Sequence, residues 1–192
     1  MSEDKDRRRL SKFMSYVLRH KPEEAGLQLD ARGFCDINKL LKAATKQFHS
    51  PVTREDVEAL CVPSEDPNEK TRFELEGDFV RAGHGHSIQV SGYRVCDSDQ
   101  LLYHATPRTS IDAIRSGGLR AMSRQKVHLS YDQKITVEAA RRRSRDVVLV
   151  EVDVAAARKA GIVFYESADP RIILSDDIPP SFLNFDLKYI PK

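Results

Sequence analysis

LSKFMSYVLRHKP, residues Leu10 to Pro22, sets Leu10, Phe13, Met14, Val17 and Leu18 at the i, i+3, i+4, i+7, i+8 spacing of a helix lying on a core. Lys12, Tyr16 and Arg19 share a second face. Pro22 disfavours helix at Lys21, so Arg19 and His20 fall in the last turn. Unpaired carbonyls and the helix dipole favour cations there and are expected to raise the His20 pKa. A guanidinium beside an imidazolium suits a phosphate dianion, because Arg offers a planar fork of donors and the imidazolium one more charged donor. The same two residues also read as an ordinary helix cap, and on this stretch alone that reading comes first.

The 192 residues allow one domain or two small ones. With 40% apolar and 31% charged residues, a folded core is expected and wholesale disorder is not. No apolar run is long enough to cross a bilayer, and MSEDKDRRR is too polar for a signal peptide. Cys35, Cys61 and Cys96 form no CxxC pair, which fits reduced thiols in a cytoplasmic protein and gives no zinc signature. A balance of 31 basic against 29 acidic side chains leaves a net charge of +2, so global charge does not predict nucleic-acid binding. Basic residues cluster locally at Arg7–Arg9, at Arg19 with Lys21, over Arg115–Lys126 and at Arg141–Arg145.

Working outward from the first helix, Leu27-x-Leu29 alternates like a short strand and Ala31-Arg32-Gly33 reads as a turn. Asp36 is expected to cap a helix that turns Ile37, Leu40, Leu41 and Ala44 inward. Thr53 with Asp56 reads as a capping box for a third helix through Val57, Leu60 and Cys61. Pro63–Asn68 reads as a polar loop, and Arg72–Leu75 with Phe79–Ala82 as a hairpin around Glu76-Gly77-Asp78. Three helices and a hairpin is the order of a winged helix, yet the third helix, TREDVEAL, is acidic and speaks against ordinary major-groove reading. Gly83-His84-Gly85-His86-Ser87 reads as a permissive polar joint. Its HxH lacks the further ligands of a tetrahedral metal site.

From Gly92 onward the texture becomes short strands between small helices. Strands are expected at Leu101–Thr106, Val127–Ser130, Val147–Asp153, Ile162–Ser167 and Ile172–Ser175, with Val147–Asp153 central. Thr109 or Ser110 is expected to cap a helix ending at Gly117-Gly118, Thr136–Arg143 reads as helix, and Pro179-Pro180 begins a final helical turn. No GxGxxG follows a strand and no Walker motif is present, so a nucleotide would be held by neither of those solutions.

LSKFMSYVLRHKPEEAGLQLDARGF, TRFEL, GHS, LYHAT, GLRAMSRQKVHLS and GIVFYES, in that order, resemble the RNA 2'-phosphotransferases (KptA-like enzymes) over nearly the whole chain. The resemblance implies an α+β protein, with a winged-helix RNA-binding domain over residues 1–91 and a β-rich NAD-binding domain of the ADP-ribosyltransferase type over residues 92–192. It implies NAD as co-substrate and removal of an internal 2'-phosphate from spliced tRNA. Nicotinamide, 2'-OH RNA and ADP-ribose 1'',2''-cyclic phosphate are the products implied. Carried over by motif, the catalytic set is Arg19 and His20 in RHKP, Arg72 in TRFEL and Arg124 in SRQKVHLS. Taken singly, Arg72 reads equally as a solvated strand charge and Arg124 as a surface cation. Together the four match the charge of a phosphoryl group in transfer.

For the dinucleotide, the resemblance points to His104 and Thr106 in LYHAT and to His128 and Ser130 in VHLS. Lys12, His86, Ser87 and Lys126 stand beside these motifs and are expected to contact the RNA. Glu166 is the nearest candidate for the acid of toxin-type transferases, and it reads equally as a surface carboxylate. No metal is expected, and the chain is expected to act as a cytoplasmic monomer off the membrane. The sequence departs from the family pattern at Ala105 (usually Gly), Lys126 (His), His84 (Gln) and Arg141–Arg145, where a glycine-containing segment is usual. Two rival readings remain at this point. One is an ADP-ribosyltransferase acting on proteins or nucleic-acid ends, and the other a non-catalytic winged-helix regulator.

Overall fold

The computed structural model describes residues 3–63 and 70–185. Most of the loop expected at Pro63–Asn68 lies outside the described residues. The chain is mixed helix and sheet and divides into two units, Met1–Tyr93 and Arg94–Lys192.

In the first unit, α1 (Glu3–Arg19) buries Leu10, Met14, Val17 and Leu18, as the apolar stripe requires, and ends at Arg19. Pro22 opens a short 3-10 turn, Pro22–Ala25, closed by Gly26 in the left-handed region at φ 65°. Leu27-x-Leu29 forms no strand. The amide of Leu27 is drawn back to the Pro22 carbonyl at 2.9 Å and that of Asp30 reaches Phe34 at 2.8 Å, which leaves no ladder partner for the alternation to use. Strand β1 (Cys35–Asp36) leads into α2 (Ile37–Phe48), whose first amides, Asn38 and Lys39, donate to the Asp36 carboxylate. The capping box of Thr53 and Asp56 starts α3 (Arg54–Cys61).

The hairpin is β2 (Phe73–Glu76) and β3 (Phe79–Ala82), with Glu76 opposite Phe79 and a two-residue turn at Gly77-Asp78. Arg72 therefore sits just before β2 rather than opening it, although its carbonyl still accepts the Gly83 amide at 2.9 Å. All pairings are antiparallel in the order β1-β3-β2. The sheet and the three helices close one core around Met14, Leu18, Ile37, Leu40, Val57, Phe73 and Val80.

The second unit is a six-stranded antiparallel sheet in the order β7-β8-β5-β4-β6-β9. It is built from β4 (Leu102–Pro107), β5 (Val127–Ser130), β6 (Val147–Val152), β7 (Phe164–Glu166), β8 (Ile172–Ser175) and β9 (Leu183–Asn184). Val147–Asp153, expected at the centre, lies one place from the edge. The two-residue β9, which alternation over so short a run does not reveal, covers it, and β5 and β4 hold the middle. Helices α4 (Ile111–Gly117), α5 (Gln133–Arg141) and α6 (Val154–Lys159) join the strands. α5 starts earlier than expected because Asp132 accepts from the Lys134 and Ile135 amides, and it packs on β4 through a face including Ile135, Val137 and Ala140. Neither Thr109 nor Ser110 supplies a side-chain cap to α4. A 3-10 turn, Arg108–Ser110, runs straight into that helix instead.

Gly118 ends α4 at φ 80°, and a Cβ there would meet the Ile178 carbonyl oxygen at 2.2 Å. Only glycine fits, because Leu119 and Ile178 exchange both backbone hydrogen bonds at 2.9 and 2.8 Å. No helix among the described residues is long and apolar enough to cross a membrane.

Two measurements check this packing. Asp36→Ala removes the acceptor for two helix amides and is expected to cost about 1 kcal/mol in denaturant unfolding; an unchanged midpoint would contradict the cap. His86 is 2% exposed, and burial first, then the charges of Arg19, Arg81 and His20, push its pKa from 6.5 down to about 4. Between those values the unfolded chain binds the extra proton, so stability falls as pH drops through the window, by up to about 3 kcal/mol. His86→Gln is expected to flatten that fall, and an equal slope in both proteins would contradict it.

Candidate active site

In the first unit the functional candidates gather at the C-terminal end of α1. The segment Gly83–Ser87, expected to use glycine for unusual backbone angles, does so at Gly85 and is laid as a strap against that end. The Ser87 amide donates to the Arg19 carbonyl at 3.0 Å. Its Oγ stands 2.9 Å from His20 Nδ1 and 3.4 Å from the same carbonyl oxygen. Gly85, at φ 86°, runs past the Arg19 guanidinium, where an added Cβ would stand 3.5 Å from Nη1. That distance is ordinary van der Waals contact, so glycine is favoured here by the left-handed backbone that carries the strap past the cation. His86 Nδ1 lies 2.9 Å from the Tyr93 hydroxyl, and burial pushes that phenol up to about 12. Sequence spacing gives no signal for this His–Tyr pair, because the six residues between them follow no period.

Arg72 reaches the same strap through its backbone. Its carbonyl takes the Gly83 amide, and its guanidinium donates to the Lys70 carbonyl at 3.2 Å. It also lines a small cleft with Arg7, Ser11 and Lys70. The structure therefore gathers Arg19, His20, His86 and Ser87 directly and links Arg72 to them by one hairpin. Lys12 does not join them. It is exposed on α1 about 10 Å along the axis from Arg19.

In the second unit, β4 and β5 share a single ladder pair, Tyr103 opposite Ser130. Beside that pair His104 Nδ1 lies 3.0 Å from the His128 carbonyl. A carbonyl only accepts, so Nδ1 carries the proton and Nε2 presents a lone pair. Burial pushes the His104 pKa down, the bond to His128 pulls it up, and the Arg124 and Arg143 guanidiniums press it down again. The neutral ring is thus an acceptor suited to a hydroxyl. His128 Nδ1 lies 3.1 Å from the Lys126 carbonyl, which fixes its tautomer in the same way. Thr106 is buried on β4, and Ser130 is fully buried with its Oγ accepting from the Asp132 amide at 3.0 Å. Ser130 thereby also shapes the turn into α5.

Arg124 follows the bond between Leu119 and Ile178. The Ala121 amide donates to the Asp177 carboxylate at 2.8 Å, Met122 takes φ 59°, and the Arg124 amide closes a turn on the Ala121 carbonyl. Surrounding protein and the nearby Arg143 both lower the pKa of Arg124, which remains a cation. Arg143 is thus a neighbour of both His104 and Arg124. The arginine run marks it in the sequence, but periodicity does not say which of the run turns toward β4. Lys126 is already engaged, with Nζ 2.5 Å from Asp176 Oδ1 and 4.5 Å from the Tyr165 ring centroid. Glu166 pairs with Arg94 at 3.4 Å. Among the described residues no group of three or more His, Cys, Asp or Glu could hold a metal ion.

Residues 5–177 match the family described as RNA 2'-phosphotransferase, Tpt1 / KptA family. A protein of Thermococcus kodakarensis described as a probable RNA 2'-phosphotransferase is 40% identical over 176 residues, covering 91% of this chain and 94% of its own. Proteins with the same description from Flavobacterium johnsoniae and Streptomyces coelicolor are each 38% identical, with 92% of this chain and 94% of theirs covered. With the match spanning both units, the chain belongs to the RNA 2'-phosphotransferase family.

Proposed function

We propose that this protein removes an internal 2'-phosphate from RNA, with spliced tRNA as the substrate class and NAD as co-substrate. The first unit acts as a winged-helix RNA-binding domain and the second as an ADP-ribosyltransferase-type NAD-binding domain. Family membership supports the reaction class. The observation that carries the reading is the end of α1, where Arg19 and His20 are held by the strap that also bears Ser87. A helix end that sets a guanidinium beside an imidazole is suited to a phosphate. On the dinucleotide side, the neutral His104, with Nε2 as acceptor, fits a ribose hydroxyl.

The chemistry runs in two steps. An oxygen of the RNA 2'-phosphate attacks C1'' of the nicotinamide ribose. The C–N bond breaks, and its electron pair neutralises the departing pyridinium. The ribose 2''-hydroxyl then attacks the phosphorus, and the bond to the RNA 2'-oxygen breaks. That oxygen leaves with a proton, and the phosphate closes into the 1'',2''-cyclic ester. Arg19, Arg72 and Arg124 hold the phosphoryl oxygens, and His20 manages the proton of the second step. Neither step requires a metal.

Arg19→Ala and His20→Ala separate the steps. Incubated with NAD and a short RNA bearing one internal 2'-phosphate, each variant is expected to slow the second step by about 100-fold or more while the first falls less. ADP-ribosylated RNA then accumulates. Equal loss of both steps would overturn these roles. A stable ADP-ribose adduct made by the unaltered protein, with no cyclic phosphate, would overturn the reaction itself.

A further inference from the structure

Resting on the role of His20 just given, we propose that Ser87 is a positioning residue. Its hydroxyl accepts the Nδ1 proton of the His20 imidazolium and donates its own to the Arg19 carbonyl, so that His20 meets the reacting group through Nε2.

Three distances place one hydroxyl between the two groups. Ser87 Oγ is 2.9 Å from His20 Nδ1 and 3.4 Å from the Arg19 oxygen, and the Ser87 amide donates to that same oxygen at 3.0 Å. An imidazolium only donates and a carbonyl only accepts, whereas a hydroxyl does both. When His20 is charged, one arrangement alone satisfies all three groups, with Nδ1–H to Oγ and Oγ–H to the carbonyl. That carbonyl has two lone pairs and belongs to the last residue of α1, so it carries the negative end of the helix dipole. The relay thus extends the helix end to the far nitrogen of the ring it must hold. The amide bond fixes the Ser87 backbone, leaving the hydroxyl only a short rotation in which to make both contacts. Ser87, expected to contact RNA, spends its single donor inside the protein.

Direct evidence comes from nitrogen chemical shifts of histidine-labelled protein, measured without NAD or RNA on the full chain and on Ser87→Ala and Ser87→Thr. Above the His20 pKa, the unaltered protein and Ser87→Thr are expected to keep the neutral ring protonated at Nδ1. Ser87→Ala is expected to move to the Nε2-protonated form that free histidine prefers. In turnover, Ser87→Ala is expected to lose roughly tenfold in kcat with the KM for RNA little changed, and Thr to recover most of it.

An Nε2-protonated ring in the unaltered protein overturns the proposal, and does so even if Ser87→Ala fails to fold. The same tautomer in all three proteins, or a raised KM for RNA with no rescue by Thr, overturns it as well. Absence of any activity on 2'-phosphorylated RNA would count against the proposed reaction, while the tautomer measurement would still decide the role of Ser87.

Discussion

The bond between the Ser87 amide and the Arg19 carbonyl ties the first unit's chemistry to its fold. A helix must leave its last carbonyls without helical partners. Here one of them accepts from a strap that arrives directly from the hairpin. That contact closes a loop of structure running from α1 through the core to β3 and back. The hairpin registers Arg72 against Gly83, Gly85 lets the backbone pass the Arg19 guanidinium, and Ser87 lands beside His20. Each position depends on the one before it. A shift of one residue in the β2–β3 register would turn alternate side chains to the other face and carry the strap off the helix end.

The second unit answers a different demand with the same economy of means. Its β4 and β5 strands stay neighbours through one ladder pair, and the polar groups beside that pair are satisfied by side chains instead of a continued ladder. Two histidines each give their Nδ1 proton to a backbone carbonyl, which leaves Nε2 of His104 as an acceptor. Burial and two neighbouring guanidiniums keep His104 neutral. A neutral imidazole near clustered cations is a sensible arrangement for a ligand with both hydroxyls and phosphates. A guanidinium beside such a ring can meet a phosphate while Nε2 accepts a hydrogen bond.

Much of this was legible in the residues. The stripe from Leu10 to Leu18 gave the helix and its buried face, Asp36 and the Thr53–Asp56 box gave two helix starts, and Glu76-Gly77-Asp78 located the hairpin. These signals are local, since each needs only spacing and one capping chemistry. The failures were of contacts distant in sequence. Leu27-x-Leu29 alternates like a strand, but Pro22 and Phe34 take the backbone bonds that a ladder would need. Val147–Val152 has the strongest strand character, yet its place in the sheet is set by a two-residue partner, Leu183–Asn184, too short to show a period. At the site, the order of motifs identified the family and the candidate residues. Lys126 carries no mark in the sequence of its pairing with Asp176, fifty residues away, nor does Ser87 of its place between His20 and the Arg19 carbonyl.

The proposed reaction is transfer of a phosphoryl group to a ribose, rather than its hydrolysis or mere binding. Phosphorus NMR of the unaltered protein with NAD and a 2'-phosphorylated oligonucleotide tests this most directly, because every phosphorus in the mixture is followed at once. The account predicts loss of the RNA 2'-monoester resonance and an equal gain of a five-membered cyclic phosphodiester, with NAD consumed in the same proportion. Inorganic phosphate appearing while NAD stays intact, or no change in any resonance, would contradict it.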